Sequence, residues 1–389
     1  MSNEDARHPA LQILEDLIRI QSVNPHFGEG AQGEEGVAAY LEQRLKKAGL
    51  SVTRQPVLAG RDNIIAELRI GKPELTLLFE AHMDTVTLGS MEDPLNPIYR
   101  DGRLYGRGAC DTKSSLAGMV YAMEYWSGNR EQLQADLVLC AAVDEEANYR
   151  GVLKFLEWQA PIAGAVVGEP TELSIVTATK GCSRMAVWTK GKAAHSAVPE
   201  EGDNAIYTMM DVLRFIREEA EPQLERISHP KCGQATVVVG TINGGTQINI
   251  VPESCVIQVD RRIIPGETPE GVREKFTTDL LDYLGDKAEK IEVIELLSDW
   301  ALNTSEQSSI VWRAREAVRS LGLDDETIGV PYGTDASKLQ QLAGVPTIVF
   351  GPGSIRQAHA KEEWVSVEQV ELAAQFYKSL AGRFGHLQQ

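Results

Sequence analysis

Five short stretches of this chain, four of them apolar runs, each lead toward residues that could do chemistry. Leu75–Glu80 runs into Ala81-His82-Met83-Asp84, and Tyr105–Cys110 runs into Asp111. Leu137–Val143 is followed by Asp144-Glu145-Glu146, Gly164–Val167 by Gly168-Glu169-Pro170, and Pro346–Phe350 by Gly351-Pro352-Gly353 and then His359. Two imidazoles and several carboxylates form a mixed nitrogen and oxygen donor set, suited to borderline or hard divalent cations. One carboxylate shared by two ions can hold them ~3.5–4 Å apart, the spacing of two-metal hydrolytic sites. A single acid at a strand end is ordinarily a helix cap or a solvated loop residue, and a lone strand-end histidine is ordinarily structural. Five such groups at five expected strand ends call for a common explanation.

Two spacings add detail. Residues i and i+2 share a face of a strand, so Asp84 can accept the second ring N–H of His82 and fix its tautomer for a metal. Adjacent Glu145 and Glu146 can serve one site only if their strand has already ended. One can then ligate a metal while the other stays free as general base for an activated water.

The elements that must position these groups read as alternating helices and strands. Ala10, Leu11, Ile13, Leu14, Leu17 and Ile18 form a helical stripe, as do Val37, Ala38, Leu41, Leu45 and Ala48 ahead of Gly49. Leu116, Met119, Val120 and Met123 mark another helix between buried strands. Such alternation predicts a mixed α/β sheet flanked by helices, with ligands beyond the carboxyl ends of its strands. From about Lys180 the texture changes. Strands at Cys182–Lys190, Ala235–Ile242, Ser254–Ile264 and Lys290–Leu296 enclose two helices. The first helix, Ala205–Ile216, is expected to turn Ile206, Met209, Met210 and Leu213 inward; the second opens at Thr268-Pro269 and ends at Gly285. That β-α-β-β-α-β order is ferredoxin-like. The expected organisation is a catalytic domain from residues 1–179 and 298–389, with residues 180–297 inserted as a second, α+β domain.

Composition excludes several classes. The chain has 389 residues, with 38 Lys and Arg against 56 Asp and Glu, a formal net charge of −18. Nucleic-acid phosphates and anionic membrane surfaces would repel that field. The start, Met1-Ser-Asn-Glu-Asp-Ala-Arg7, shows no signal peptide, and no apolar run approaches the ~20 residues of a membrane-spanning helix. Cys110, Cys140, Cys182, Cys232 and Cys255 are widely spaced and odd in number, which suits buried reduced thiols in a cytoplasm rather than a disulfide framework.

The motifs also resemble a known family. Ala81-His-Met-Asp-Thr-Val86, Asp101-Gly-Arg-Leu-Tyr-Gly-Arg-Gly-Ala-Cys-Asp-Thr-Lys113, Asp144-Glu-Glu146, Gly168-Glu-Pro-Thr171 and Gly351-Pro-Gly-Ser-Ile-Arg-Gln-Ala-His359 are similar, in order, to the di-zinc amidohydrolases. These include acetylornithine deacetylase, succinyl-diaminopimelate desuccinylase, glutamate carboxypeptidase and aminoacylase, and the wording here is nearest acetylornithine deacetylase. The resemblance implies that Asp111 bridges two metals, that His82 and Glu169 complete one and Glu146 and His359 the other. It makes Glu145 the general base and Asp84 the residue that orients His82. The metals it implies are two divalent ions per subunit, Zn²⁺ with Co²⁺ or Mn²⁺ as alternatives. A cis peptide after the bridging aspartate, here Asp111-Thr112, is also implied.

Departures are small: Ala81 stands where relatives often carry Gly, and Thr112-Lys113-Ser114-Ser115 replaces a more Gly-rich version. In the inserted segment, Gly191-Lys-Ala-Ala-His195-Ser196 resembles the lid motif in which a histidine reaches the partner subunit's site and stabilises the oxyanion. Asn249 and Arg262 match positions that hold the substrate carboxylate, with Arg261 as an alternative. The lid resemblance further implies a homodimer formed through the inserted domain. The expected activity is hydrolysis of an N-acyl amino acid, with a metallo-exopeptidase on short peptides as the alternative and a non-catalytic metal or metabolite binder as the rival from another class. Gly333-Thr334-Asp335 is expected near the pocket without a role, and His8, His26, His229 and His386 are expected on the surface.

Overall fold

The structure, a computed structural model, describes residues 7–158 and 161–385. His386 and the first six residues of the N-terminal stretch lie outside them. The chain divides into two compact units, one made of Met1–Thr177, Thr304–Ile328 and Thr334–Gln389, the other of Ala178–Asn303 and Gly329–Gly333.

The first unit is organised by a mixed sheet of eight strands. Their order is Ser51–Leu58, Arg61–Leu68, Leu137–Ala142, Leu77–His82, Gly164–Val167, Thr347–Val349, Ile175–Thr179 and Thr327–Val330. Leu77–His82 runs parallel to both Leu137–Ala142 and Gly164–Val167, and Thr347–Val349 runs parallel to Gly164–Val167. These four strands are buried at every residue, as expected for parallel strands covered on both faces. Being parallel, they deliver their carboxyl ends, and the residues that follow, to one edge of the sheet. The helices Pro9–Arg19, Lys113–Ser127 and Val367–Arg383 pack together against it. Gly118 makes the last two helices' approach possible, because a Cβ there would lie 3.0 Å from the Tyr377 ring and 3.3 Å from the Ala374 Cα.

Two elements differ from expectation. The strand expected from Leu75 onward, with His82 and Asp84 on one face, is Leu77–His82, preceded by a 3₁₀ turn at Pro73–Leu75. His82 is thus its last residue, and the residue two positions away on the strand is Glu80 rather than Asp84. A short three-stranded sheet of Trp364–Ser366, Arg103–Tyr105 and Ile98–Arg100 also lies outside what periodicity indicated, since each strand spans only three residues.

The second unit carries a four-stranded antiparallel sheet in the order Thr236–Gly244, Ser254–Ile263, Gly181–Lys190, Ile291–Asp299, the ferredoxin-like arrangement. Its helices Ala205–Phe215 and Pro269–Leu284 bury Met209, Val212, Phe215, Phe276 and Leu280 against Met185, Val187, Ile257 and Val259. Thr268 caps the second helix through Gly271 N, as its sequence indicates. The phase of the first is corrected: Ala205, Thr208, Met209, Val212 and Phe215 face inward, while Ile206 and Leu213 are half-buried and Met210 is 53% exposed.

Candidate active site

At the carboxyl edge of the large sheet, His82 is fixed through both ring nitrogens. Its Nδ1 lies 2.9 Å from the Asp84 carbonyl oxygen and 3.5 Å from Asp84 Oδ1, so the close acceptor is the backbone rather than the carboxylate. Nδ1–H donates to that carbonyl, and Nε2 meets Asp111 Oδ1 at 3.0 Å. The other oxygen of the same carboxylate, Asp111 Oδ2, lies 3.4 Å from His359 Nε2. One buried carboxylate therefore presents a separate oxygen to each of two imidazoles.

The loop before Asp111 is held by a residue far away in sequence. Glu363, 1% exposed, accepts from the backbone N–H groups of Gly108 (3.0 Å), Cys110 (2.9 Å) and Asp111 (3.0 Å), and from the Arg107 guanidinium (2.8 Å). The Asp111-Thr112 peptide is cis, and Thr112 Oγ1 donates to the Gly168 carbonyl at 2.6 Å. That bond ties the Asp111 loop to the strand end that carries Glu169, whose Oε1 lies 3.9 Å from His82 Nε2.

The strand Leu137–Ala142 ends before the adjacent glutamates, as the site requires. Asp144 adopts a left-handed backbone, φ 67°, and the next residues curl into a turn. Asp84 collects that turn: its Oδ1 accepts from Glu145 N at 3.2 Å and its Oδ2 from Glu146 N at 3.1 Å. Glu146 in turn meets His359, with Nε2 at 3.0 and 3.2 Å from its two oxygens.

The electrostatics follow from crowding acids into an apolar setting. Burial pushes the carboxyls of Glu145 and Glu169 well above the usual range; His82 opposes this, while Asp111 and neighbouring acids add to it. Glu146 is pushed up to about 7, again chiefly by burial and then by Asp111. Burial also acts against ionised Asp111, but its bonds to His359 and His82 outweigh that and hold it below the usual range. Burial opposes the charged form of His82 too, yet Asp111 and Asp84 raise it well above 6.5. His359, bonded to Asp111 and Glu146, is raised to about 10. Behind them, fully buried Glu80 is pushed up by burial and by Asp335, itself 1% exposed.

These residues fit divalent ions. His82, Glu145 and Glu169 offer donor atoms within 4.8 Å of one another, and so do His82, Asp111 and Glu146. The donors are imidazole and carboxylate only. The neighbouring thiol of Cys110 is bonded to the Ser354 carbonyl at 3.4 Å. All five cysteines are free and buried.

The remaining expected site residues lie in the second unit. His195 is exposed, and its Nδ1 accepts from Ala197 N at 3.1 Å, leaving Nε2 as the donor nitrogen. Ser196 N bonds the carbonyl of exposed Asn249 at 3.0 Å, so these two loops adjoin. Arg261 turns inward, 5% exposed, with its guanidinium on Glu267 at 2.6 Å. Arg262 turns to the other side of the strand and meets Asp260 at 2.8 Å. His26 is exposed, whereas His8 and His229 are half-buried.

Sequence reading missed four residues that support the site: Asn24, Glu34, Arg61 and Glu363. Asn24 Nδ2 donates to Asp84 Oδ2 at 2.7 Å and Asp144 Oδ1 at 3.0 Å. Arg61 grips Glu34 through Nε (2.6 Å) and a terminal nitrogen (2.5 Å) and also reaches Asp144 at 3.1 Å. Glu34 Oε1 accepts from Asp144 N at 3.1 Å. Asn24-Pro25 reads locally as a turn cap, and Asn24 Oδ1 does accept from His26 N at 3.0 Å. Nothing nearby in the chain signals its second task.

A model of peptidase family M20/M25/M40 matches residues 78–383. Acetylornithine deacetylase of Myxococcus xanthus is 35% identical over 343 residues, covering 85% of this chain and 87% of that protein. A probable succinyl-diaminopimelate desuccinylase of Staphylococcus epidermidis is 26% identical, covering 95% and 96%. Among solved structures, a tripeptidase from Staphylococcus aureus superposes with a TM-score of 0.80 at 21% identity, covering 97% of this chain and 98% of that one. A Bacillus subtilis dinuclear metal-binding peptidase gives 0.71 at 15% identity, covering 96% of each. The sheet, its strand-end donors and these matches define a metal-dependent hydrolase acting on amide bonds. The chain belongs to peptidase family M20/M25/M40.

Proposed function

We propose that this protein hydrolyses the acyl amide of an N-acyl amino acid. The observation that supports metal-dependent hydrolysis is the placement of Asp111, with one oxygen toward His82 and the other toward His359. Asp111 would bridge two divalent ions, with His82 and Glu169 completing one and Glu146 and His359 the other. Zinc suits this set of imidazoles and carboxylates, and cobalt or manganese would fit the same donors. Bound there, the ions supply Lewis-acid polarisation of the scissile carbonyl and acidify the attacking water.

This chain's own groups do the rest. Glu145, whose carboxyl is raised by burial and by neighbouring acids, takes a proton from the attacking water as its oxygen bonds the carbonyl carbon. It then delivers that proton to the leaving nitrogen as the C–N bond breaks, giving a carboxylic acid and an amine, and the acid's remaining proton passes to the amine to leave carboxylate and ammonium. Asp84 holds the His82 ring and the Glu145 and Glu146 backbone. His195, with Nε2 as donor, stabilises the oxyanion of a second copy's site. Arg262 and Asn249 would hold the substrate carboxylate, Arg262 rather than Arg261 because Arg261 is buried with its guanidinium on Glu267, whereas Arg262 is half-buried on the other side of the strand.

Dimerisation through the inserted unit is part of the proposal. Thr236–Gly244 is an edge strand paired on one side only, and Ile248 is fully exposed, with Tyr207, Ile242 and Met210 exposed as well. Open edges and exposed apolar groups of this kind call for a cover. The buried free thiols suit the cytoplasm, and no helix among the described residues is long and apolar enough to cross a membrane.

The deacylase reading rests on the relative at 35% identity, whereas the peptidase structures share the fold. Turnover of N-acetyl and N-succinyl amino acids, set against dipeptides and tripeptides, tests it. Cleavage of peptides with no deacylation would assign an exopeptidase instead. Glu145→Ala should abolish turnover and keep the metal content; full activity would remove the proton-transfer role, and a chain inert on every substrate would leave a metal or metabolite binder. Mixing His195→Ala with Glu145→Ala should restore partial activity through mixed dimers. No recovery despite subunit exchange would reject sharing of His195.

A further inference from the structure

We propose that Asn24 is a positioning residue for the Glu145–Glu146 turn, acting through a single side-chain amide that ties Asp84 to Asp144. The inference builds on the reading of Glu145 as base and Glu146 as ligand. A primary amide has two N–H donors and one carbonyl acceptor. Asn24 spends all three groups: its two hydrogens face Asp84 Oδ2 (2.7 Å) and Asp144 Oδ1 (3.0 Å), and its oxygen accepts from His26 N (3.0 Å). The side chain is fully buried, and its backbone N donates to the Thr85 carbonyl at 2.9 Å, next to Asp84. Its orientation is therefore set on every side.

The two carboxylates it joins are those that define the turn. Asp84 accepts the backbone N–H of both Glu145 and Glu146, while Asp144 begins the turn in its left-handed backbone. The Asp144 side chain is further held by Arg61 at 3.1 Å and Arg150 at 3.2 Å. Asp84 faces the His82 ring instead, with Nδ1 3.5 Å from its Oδ1. Asn24 is the uncharged strut that keeps Asp84 and Asp144 in register without adding to their charge. An aspartate there would set a third buried carboxylate against the other two, and a serine could keep only one of the two donated bonds.

Three variants and one control test this. Asn24→Ala should lower kcat about 10- to 100-fold with KM changed less than about threefold, the range for losing a group that orients metal ligands. Asn24→Ser should recover part of the loss, and Asn24→Asp should fall below both. In chelated, metal-free protein, the amides of Glu145 and Glu146 should exchange hydrogen at least about tenfold faster in Asn24→Ala, while those of Leu137–Ala142 stay protected as in the parent. A uniform rise in exchange over the whole sheet, or unchanged exchange at both glutamates, overturns the proposal, as does serine performing no better than alanine. Glu145→Gln runs alongside: if it stays fully active, the general-base reading fails, and the exchange measurement still decides the role of Asn24.

Discussion

The two imidazoles that face Asp111 are held in opposite ways. His82 closes a strand buried at every residue, its side chain is 1% exposed, and both ring nitrogens are engaged. His359 sits in a run of turns with a left-handed φ of 58°, its side chain is 52% exposed, and its recorded partners all lie on Nε2. The first half of the cluster is a fixture of the sheet, formed with the hydrophobic core. The second half is brought in by a loop, and its geometry depends on the carboxylates it meets. The half around His82 should thus act as the tight, preorganised metal site and the half around His359 as the exchangeable one.

The largest test of that contrast is His82→Ala. It removes the imidazole common to both donor triples, strands Glu169 as a buried acid without its imidazole neighbour, and leaves Asp111 with His359 as its remaining imidazole partner. Breaking a buried charge pair costs on the order of 3–5 kcal/mol, so the metal-free variant should melt markedly lower than the parent and retain no stoichiometric ion or activity. His359→Ala should instead fold as the parent does and keep one tightly held ion per chain, with turnover strongly reduced. Metal analysis after dialysis reads both. Equal losses in the two variants would erase the distinction between halves. Stepwise removal sharpens it: a chelator titration followed by activity and metal content should release one ion well before the other.

The same contrast governs what could be read from sequence. His82, Glu145, Glu146 and Glu169 are legible because each follows an apolar run that ends as a parallel strand at one edge, whereas Asp111 and His359 lie on loops and are legible through their motifs. The mixed sheet and the ferredoxin-like strand order are legible for the same reason: periodicity reports burial. The supports are not. Glu363 lies more than 250 residues from the N–H groups it collects, Asn24 is 120 residues from Asp144, and Glu34 is 27 from Arg61. Each looks locally like a loop or cap residue, since a long-range hydrogen bond leaves no period in the chain. Ala205–Phe215 failed in another way: its apolar residues outnumber its buried face, so the pattern alone placed Met210 inside.

Glu363 offers a test smaller than ligand removal. It belongs to the fixed half, because it holds the loop that presents Asp111. Glu363→Gln keeps the shape but replaces one acceptor oxygen with a donating NH₂ where backbone N–H groups already point. Turnover should fall about tenfold, with the loss appearing chiefly in metal affinity. A tighter second site with an unchanged first would place Glu363 in the wrong half.

The smallest expected effect concerns protons in the metal-free protein. His359 is raised to about 10 by Asp111 and Glu146, against an unfolded value near 6.5. A basic group raised on folding binds its proton more tightly in the native state. Its stabilising effect is therefore complete below about pH 6.5 and fades as pH climbs through about 10. In chelated protein, the melting temperature of the parent should exceed that of His359→Ala most at about pH 6, and the gap should close as pH approaches 10. Solvent at this half-exposed ring weakens the ion pairs, so the gap stays modest. With metal present the sign reverses at this half: the imidazole must give up its proton to ligate, so affinity for the exchangeable ion should rise over the same interval. Parallel pH curves for the two chelated proteins would mean that the loop does not hold His359 against the carboxylates before metal arrives.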